Sequence, residues 1–93
     1  MIGDGIKAAR KKVGITQTDL AKKIRSEQTS LSNIENNKSN PSMKRLYRIS
    51  EALDIPLPII FWLGLKREEI SDEKKHIFDI LKPSIDEVLE QIF

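Results

Sequence analysis

The residues with the clearest chemical use lie in the run QTSLSNIEN, from position 28 to position 36. On a helix each residue turns the side-chain direction by about 100°, so one arc of about 140° collects five uncharged side chains that form hydrogen bonds. These five are Gln28, Thr29, Ser32, Asn33 and Asn36. The opposite arc is narrow and largely apolar, which suits a helix seated on a small core. It consists of Ser30, Leu31 and Ile34.

The polar arc contains the side-chain types that read DNA bases. Gln and Asn can form paired hydrogen bonds with the edge of adenine in the major groove, and the Thr methyl group can pack against a thymine methyl group. The alternative is a face that touches only water. In a chain with 32% charged residues, such a face would consist mostly of Lys and Glu. The composition therefore favours base reading.

Two helices are predicted ahead of this run. The first is about ten residues long and ends at Gly14, which suits the left-handed position after a helix. Thr16 occupies the N-cap position of the second helix, Gln17 to Ile24, with Asp19 in its first turn. The side chains predicted to be buried are Ile6, Ala9, Val13, Leu20, Ala21 and Ile24.

Two more helices are predicted after the run. Ser42 caps a helix that extends to about Leu53, and a short helix follows near Leu57 to Leu63. The inward side chains of the longer helix are Met43, Leu46, Ile49 and Leu53. The short helix is more apolar than one buried side requires, so part of it is a candidate interface, with core packing as the alternative. The residues concerned are Phe61, Trp62 and Leu63.

Length and composition argue against several classes of protein. A chain of 93 residues buries only a modest core, which disfavours a large catalytic cleft. It has no cysteine, and its one histidine, His76, lies in the charged run DEKKH. We therefore predict no enzyme, metal, cofactor or small-molecule ligand. The sequence also lacks the apolar runs of a signal peptide or a membrane span, so we expect a cytoplasmic protein.

Charge is distributed unevenly along the chain. Residues 1–64 contain 11 Lys or Arg against 6 Asp or Glu, a net charge of +5, whereas residues 65–93 contain 5 against 8, a net charge of −3. The basic part coincides with the polar arc. A phosphate-binding module followed by an acidic partner-binding segment would show this split, and two ordinary solvated surfaces would show it too.

The run ITQTDLAKKI, followed by SLSNIENNKSNPSMKRLYRISEALDI, resembles the Cro and phage-repressor helix-turn-helix family, also called the xenobiotic response element family. The likeness covers about residues 3–63. It implies an all-α fold, a five-helix lambda-repressor-like DNA-binding bundle, here with a C-terminal helical extension. The matching residues are Thr16, Gln17, Leu20, Ala21, Ser30, Ile34, Glu35, Asn36, Lys38, Pro41, Leu46, Ile49, Ala52 and Leu53.

The resemblance also implies roles for individual residues, with the third helix in the major groove of double-stranded DNA. The residues expected to face bases are Gln28, Thr29, Ser32 and Asn33. Those expected to meet phosphates are Thr16, Gln17, Asn36 and Lys38. Arg10 and Glu35 are expected to form a structural ion pair between the first and third helices.

Three positions depart from the family pattern, and one of them is Pro56, which falls where a Ser-type cap often precedes the fifth helix. Arg25 lies in the turn where many relatives carry Gly, so we expect either a strained residue or a turn rearranged by one residue. Asn37 replaces another frequent Gly after the third helix, but Asn tolerates the left-handed conformation, so no change is expected there.

The tail beyond position 65 is predicted from local features alone. Ser71 is a suitable N-cap, Pro83 interrupts the helical period, and Ser84 with Glu87 forms a capping box, so we predict two helices, about 72–82 and 85–93. Their apolar stripes could fold back on the bundle, pair with a second copy of the chain, or receive another protein. The residues predicted for an interface are Phe61, Trp62, Leu63, Ile77, Leu81, Ile85, Leu89 and Ile92.

Two functional hypotheses follow. The leading one divides the chain into a helix-turn-helix DNA-binding domain, residues 1–64, and an acidic dimerisation or partner segment, residues 65–93. It predicts a sequence-specific transcriptional regulator, a repressor that binds an inverted repeat as a homodimer. The alternative is an antitoxin or other protein-interaction regulator whose tail binds a partner protein.

Overall fold

The computed structural model describes all 93 residues and is entirely helical. Five short helices form a bundle, two 3₁₀ turns follow, and a long helix completes the chain. The elements are α1 Ile2–Val13, α2 Gln17–Lys23, α3 Gln28–Glu35, α4 Met43–Leu53, α5 Leu57–Leu63, the 3₁₀ turns Arg67–Glu69 and Asp72–Lys74, and α6 Lys75–Ile92. No helix is both long enough and apolar enough to cross a membrane.

Side-chain caps fix the helix boundaries as expected. The Thr16 hydroxyl accepts a hydrogen bond of 3.0 Å from the backbone N–H of Asp19 at the start of α2. The Ser42 hydroxyl accepts one of 3.1 Å from the backbone N–H of Arg45 at the start of α4. Gly14 ends α1 with a φ of 83°. Each cap satisfies backbone groups that a helix end leaves unpaired.

The core lies among the five bundle helices. Its 13 buried residues are Ile6, Ala9, Leu20, Ala21, Ile24, Leu31, Ile34, Leu46, Ile49, Leu53, Ile55, Leu57 and Ile60. Two predicted core residues are wrong: Val13 is 42% exposed and Met43 is 54% exposed. Val13 is the last residue of α1 and Met43 the first of α4. Both have the right helical phase, but at a helix end no neighbouring element extends far enough to cover the side chain.

Helices α1 and α5 approach each other through glycine. A Cβ atom on Gly5 would collide with the carbonyl oxygen of Ile60, and one on Gly64 would lie 2.7 Å from the backbone nitrogen of Gly5. Only glycine at both positions allows this spacing. The contact fixes α5 against α1, and thereby the place where the tail leaves the bundle.

After the two 3₁₀ turns, the tail forms one continuous helix, α6, so the prediction of two helices divided at Pro83 is wrong. Pro83 removes one backbone hydrogen bond, and its ring crowds the preceding turn, a cost of about 3 kcal/mol in a helix interior. The Ser84 hydroxyl does not cap a new helix but lies 3.5 Å from the carbonyl oxygen of Ile80. Ser71 likewise makes no capping hydrogen bond and precedes a 3₁₀ turn.

Contacts with Trp62 of α5 on both sides of Pro83 explain why α6 stays continuous. Before the proline, the ring of Phe78 lies 6.2 Å from that of Trp62, and the Lys82 ammonium group lies 5.1 Å from the Trp62 ring. After the proline, the Asp86 carboxylate accepts a hydrogen bond of 3.0 Å from the Trp62 indole N–H. One face of α6 therefore folds back on the bundle, and Leu89 on that face is buried.

Candidate nucleic-acid interface

Helices α2 and α3, with the turn at residues 24–27, form the two-helix unit predicted around the polar arc. Leu31 and Ile34 of α3 are buried, and the polar side chains lie together on the outer face. Of these, Gln28, Thr29, Asn33 and Asn36 are exposed, and Ser32 is half-buried. The structure thus brings all five predicted side chains to one surface.

The turn between α2 and α3 keeps its geometry although it contains no glycine. Arg25 adopts a left-handed conformation with a φ of 55°. Its N–H donates to the carbonyl oxygen of Lys22 at 3.1 Å, and the N–H of Ser26 donates to that of Ala21 at 2.8 Å. This pair of hydrogen bonds is the Schellman ending of a helix. Of the two expectations for Arg25, a strained residue is correct and a rearranged turn is not. The left-handed conformation of a residue with a side chain costs about 1 kcal/mol.

A buried carboxylate holds α3 to the first two helices. Glu35, at the end of α3, is 2% exposed. Its carboxylate accepts hydrogen bonds of 2.8 Å and 3.0 Å from the Arg10 guanidinium group of α1. It also accepts one of 3.3 Å from the side-chain amide of Gln17 in α2. The Arg10–Glu35 pair is therefore structural, as expected, and it fixes the orientation of α3.

The same contacts orient Gln28 on the outer face. Because the Gln17 NH₂ group faces Glu35, its amide oxygen faces outward, where it lies 3.4 Å from the amide nitrogen of Gln28. The Gln28 side chain is therefore held at its NH₂ end, and its amide oxygen remains available. Fixed positions for such side chains reduce the entropy lost when a ligand is bound.

Helix α4 also contacts α3, through a pair that the sequence did not reveal. The Arg45 guanidinium group donates a hydrogen bond of 2.8 Å to the Ser30 hydroxyl. The sequence placed Ser30 on the apolar arc, and the structure shows Ser30 and Arg45 both half-buried. The pair is separated by 15 positions, so no helical period could signal it.

The end of α3 is tied to α1 by Asn37. With a φ of 59°, Asn37 takes the left-handed conformation expected for it. Its side-chain oxygen accepts a hydrogen bond of 3.1 Å from the N–H of Gly3, and its NH₂ group donates to the Asp4 carboxylate at 3.2 Å. Burial alone would raise the pKa of Asp4, but the hydrogen bonds from Asn37 and Lys66 outweigh it, so the pKa is lowered.

The residues predicted for phosphate contacts lie at two ends of this unit. Thr16 and Gln17 are at the start of α2, with the Thr16 hydroxyl already engaged as a cap. Asn36 follows α3, and its amide nitrogen lies 3.4 Å from the Ser32 hydroxyl. Lys38 is exposed and forms no ion pair. The polar face of α3 lies between the two ends.

The fold contains no cluster of His, Cys, Asp and Glu side chains suited to holding a metal ion.

Comparison with known proteins identifies the family. A family model described as helix-turn-helix matches residues 6–60, more than half of the chain. The chain belongs to the helix-turn-helix family. The predicted lambda-repressor-like bundle with a C-terminal helix is thereby confirmed.

Curated relatives fall under two names. Antitoxin HipB of Escherichia coli strain CFT073 is 34% identical to this chain over 58 residues, which are 62% of this chain and 62% of that protein. Antitoxin HipB of Escherichia coli strain K12 is 33% identical over 58 residues, which are 62% of this chain and 66% of that protein. The chain thus spans less than two thirds of the length of these antitoxins. The HTH-type transcriptional regulator ImmR of Bacillus subtilis strain 168 is 29% identical over 91 residues, 98% of this chain and 67% of that protein. Two of these relatives are thus named antitoxins and one is named a transcriptional regulator.

Proposed function

We propose that this helix-turn-helix protein is a sequence-specific DNA-binding transcriptional regulator that places α3 in the major groove. The observation that carries the proposal is the outer face of α3, where five uncharged hydrogen-bonding side chains lie together. The family match and the relative named as a transcriptional regulator support it. An α-helix fits the width of the major groove, where each base pair presents its own pattern of donors and acceptors.

Base reading is assigned to four side chains of α3: Gln28, Thr29, Ser32 and Asn33. Backbone contacts are assigned to Thr16, Gln17, Asn36 and Lys38. The contact between Gln17 and Gln28 supports this assignment of roles. It connects a side chain assigned to phosphate contact with the first of the four side chains assigned to base reading, which we call the reading face. A phosphate contact by Gln17 would then set the position from which Gln28 reads a base.

The regulator acts as a homodimer on an inverted repeat in this proposal, and it represses by covering a promoter. A single α3 face of eight residues contacts only a few base pairs, which is too little for specificity among many competing sites. Two copies related by a two-fold axis double the contact, and they set half-site centres about 10 base pairs apart.

Selection of binding sites from a random DNA library by the full chain tests the proposal. We expect an inverted repeat with half-site centres about 10 base pairs apart. Recovery of sequences no better than the starting library would overturn it.

Substitutions in α3 then assign the bases. Gln28→Ala and Asn33→Ala should each cost about 1 to 3 kcal/mol of binding free energy and relax preference at one base pair. Gln17→Ala should weaken binding to all sequences nearly alike. Variants at positions 28 and 33 that select the wild-type repeat with unchanged affinity would disprove the reading face.

A second candidate function is favoured by the relatives named antitoxins. In that case residues 65–93 bind a partner protein, and DNA binding is secondary. A segment that folds only on its partner should be cut rapidly by protease within α6 when the chain is alone. Protection of α6 in the isolated full chain, together with selection of an inverted repeat, would favour the regulator.

A further inference from the structure

One face of α6 has no partner within the chain. The face that packs on Trp62 carries Phe78, Lys82, Asp86 and Leu89, and the adjacent face turns away from the bundle. On it, Ile77 is 48% exposed, Leu81 46%, Val88 54% and Ile92 65%, and Ile85 at its edge is half-buried. We call these five residues the α6 stripe. A continuous apolar stripe of this length is typical of a surface that is covered by another helix.

The spacing of the stripe is almost the same when it is read in either direction. Ile77 and Ile92 lie at equal distances from the point between Ser84 and Ile85, as do Leu81 and Val88. A surface with this property fits its own copy when the copy runs in the opposite direction, because a two-fold axis places each residue opposite its counterpart. The small Ser84 at the midpoint lets two backbones approach closely.

The charges on α6 favour the same arrangement. Within α6, the segment before Pro83 carries Lys75 and Lys82 against one acidic side chain, Asp79, which is paired with Arg67 at 2.9 Å. Lys75 is itself paired with Asp72 of the preceding 3₁₀ turn at 2.7 Å. The segment after Pro83 carries only acidic charges: Asp86, Glu87 and Glu90.

This order opposes the helix dipole, which favours acidic residues at the start of a helix and basic residues at its end. Within a lone α6, one ion pair joins the two halves, between Lys82 and Asp86 at 3.3 Å. An antiparallel second copy places the first half, with a net charge of +1, beside the second half, with a net charge of −3, whereas a parallel copy places the two acidic halves together.

We propose that the α6 stripe is the site at which a second copy of this chain binds, with the two α6 helices antiparallel and the two-fold axis beside Ser84 and Ile85. The inference rests on the homodimer of the proposed function and supplies its contact surface. It also separates six of the eight predicted interface residues into two groups. Ile77, Leu81, Ile85 and Ile92 contact the second copy, joined by Val88. Trp62 and Leu89 are already covered by their own chain and attach α6 to the bundle. Of the other two, Leu63 packs against the core and Phe61 is exposed on α5.

Sedimentation equilibrium of the full chain tests whether the stripe carries the dimer. Leu81→Glu places a charge in the stripe without disturbing the core, and we expect it to raise the dimer dissociation constant at least about tenfold. The matched control is Tyr47→Glu, which puts the same charge on an exposed aromatic residue of α4 and should leave the constant unchanged. A wild-type chain that is monomeric at 100 µM or so, or a Leu81→Glu variant that dimerises as the wild type does, would overturn the proposal.

Cysteine cross-linking tests the direction of the helices, since the chain has no cysteine of its own. Ser84→Cys should form a disulfide between copies under mild oxidation, because the axis brings the two positions together. Ile77→Cys alone should remain uncrosslinked, and a mixture of Ile77→Cys and Ile92→Cys chains should give the mixed dimer. Efficient cross-linking of Ile77→Cys to itself would indicate parallel helices and contradict the proposal.

These experiments distinguish failure of the α6 interface from failure of the DNA-binding proposal. If the α6 helices do not pair but the chain still selects an inverted repeat, the proposed function stands and the dimer forms through another surface. If the helices pair as described and no DNA sequence is selected, the α6 interface stands and the proposed function fails.

Discussion

Helices α3 and α6 both keep one face packed and leave the other free, but they are held in place by different means. Helix α3 is fixed by buried polar contacts, with Glu35 bound to Arg10 and Gln17, and its free face is polar. Helix α6 is held mainly by one aromatic residue, Trp62, and its free face is apolar. A polar face held rigidly suits a polar, hydrated ligand such as DNA. An apolar face on a weakly attached helix suits a partner that excludes water.

Removing the buried carboxylate should have the largest effect on stability. Glu35→Ala leaves the Arg10 guanidinium group without its partner, and loss of one member of a buried pair costs about 3 to 5 kcal/mol. Urea unfolding measures this change. The control is Asp79→Ala on α6, which breaks the exposed pair with Arg67 of the first 3₁₀ turn and should leave the unfolding midpoint nearly unchanged. Equal effects of the two variants would show that the two helices are not held differently.

Removing Trp62 should detach α6 and leave the bundle folded. Trp62→Ala loses the ring contact with Phe78 and the hydrogen bond to Asp86, for about 1 to 3 kcal/mol because the side chain is only half-buried. Hydrogen exchange should show faster exchange in residues 75–92 and unchanged protection in the core helices. Phe61→Ala, at the neighbouring exposed position, is the control. A uniform loss of protection along the chain would mean that α6 and the bundle unfold as one unit.

The helices of the bundle were predictable from sequence because their signals are local. The caps at Thr16 and Ser42, and the left-handed positions at Gly14 and Asn37, each depend on residues within one turn. The polar outer face of α3 followed from helical phase in the same way. Side chains at helix ends were not predictable, since the phase that points Val13 inward does not show whether anything lies there to cover it.

Long-range contacts explain the remaining differences from the sequence-based expectations. Pro83 is a reasonable helix breaker when judged locally, but Trp62, about 20 positions away, contacts α6 on both sides of it. The Ser30–Arg45 contact likewise depends on how α4 packs against α3. In both cases tertiary packing outweighs a local preference of the chain.

Relieving backbone strain in the turn between α2 and α3 should have a smaller effect on stability, and it should stabilise the fold. Arg25 is left-handed, and Arg25→Gly removes the steric cost of a side chain in that conformation, so unfolding free energy should rise by up to about 1 kcal/mol. The greater freedom of glycine in the unfolded chain offsets part of the gain. Asn37→Gly is the contrasting variant, because it loses the Asn37 hydrogen bonds to Gly3 and Asp4 and should destabilise the fold. Thermal melting distinguishes the two directions.

Removing the charge of Asp4 should have the smallest effect on stability. Asp4 lies where the end of α3 meets the segment that leads into the tail. Its carboxylate accepts a hydrogen bond from Asn37 at the end of α3 and pairs with Lys66, which leads into the tail, at 3.4 Å. The pKa of Asp4 is lowered in the folded chain, so the ionised carboxylate stabilises the fold above its unfolded pKa of about 3.9. That stabilisation is lost as pH falls through the lowered value.

Comparison of the wild type with Asp4→Asn isolates this contribution from those of the other carboxylates. At pH 7 the variant should be slightly less stable, by less than about 1 kcal/mol because Asp4 is partly exposed to solvent. As the pH falls through the lowered pKa and the wild-type carboxyl group becomes protonated, the difference in stability between the two chains should shrink toward zero. A difference that stays constant across this range would show that Asp4 acts through shape or neutral hydrogen bonding rather than through its charge. The contact between the end of α3 and the start of the tail would then be independent of pH.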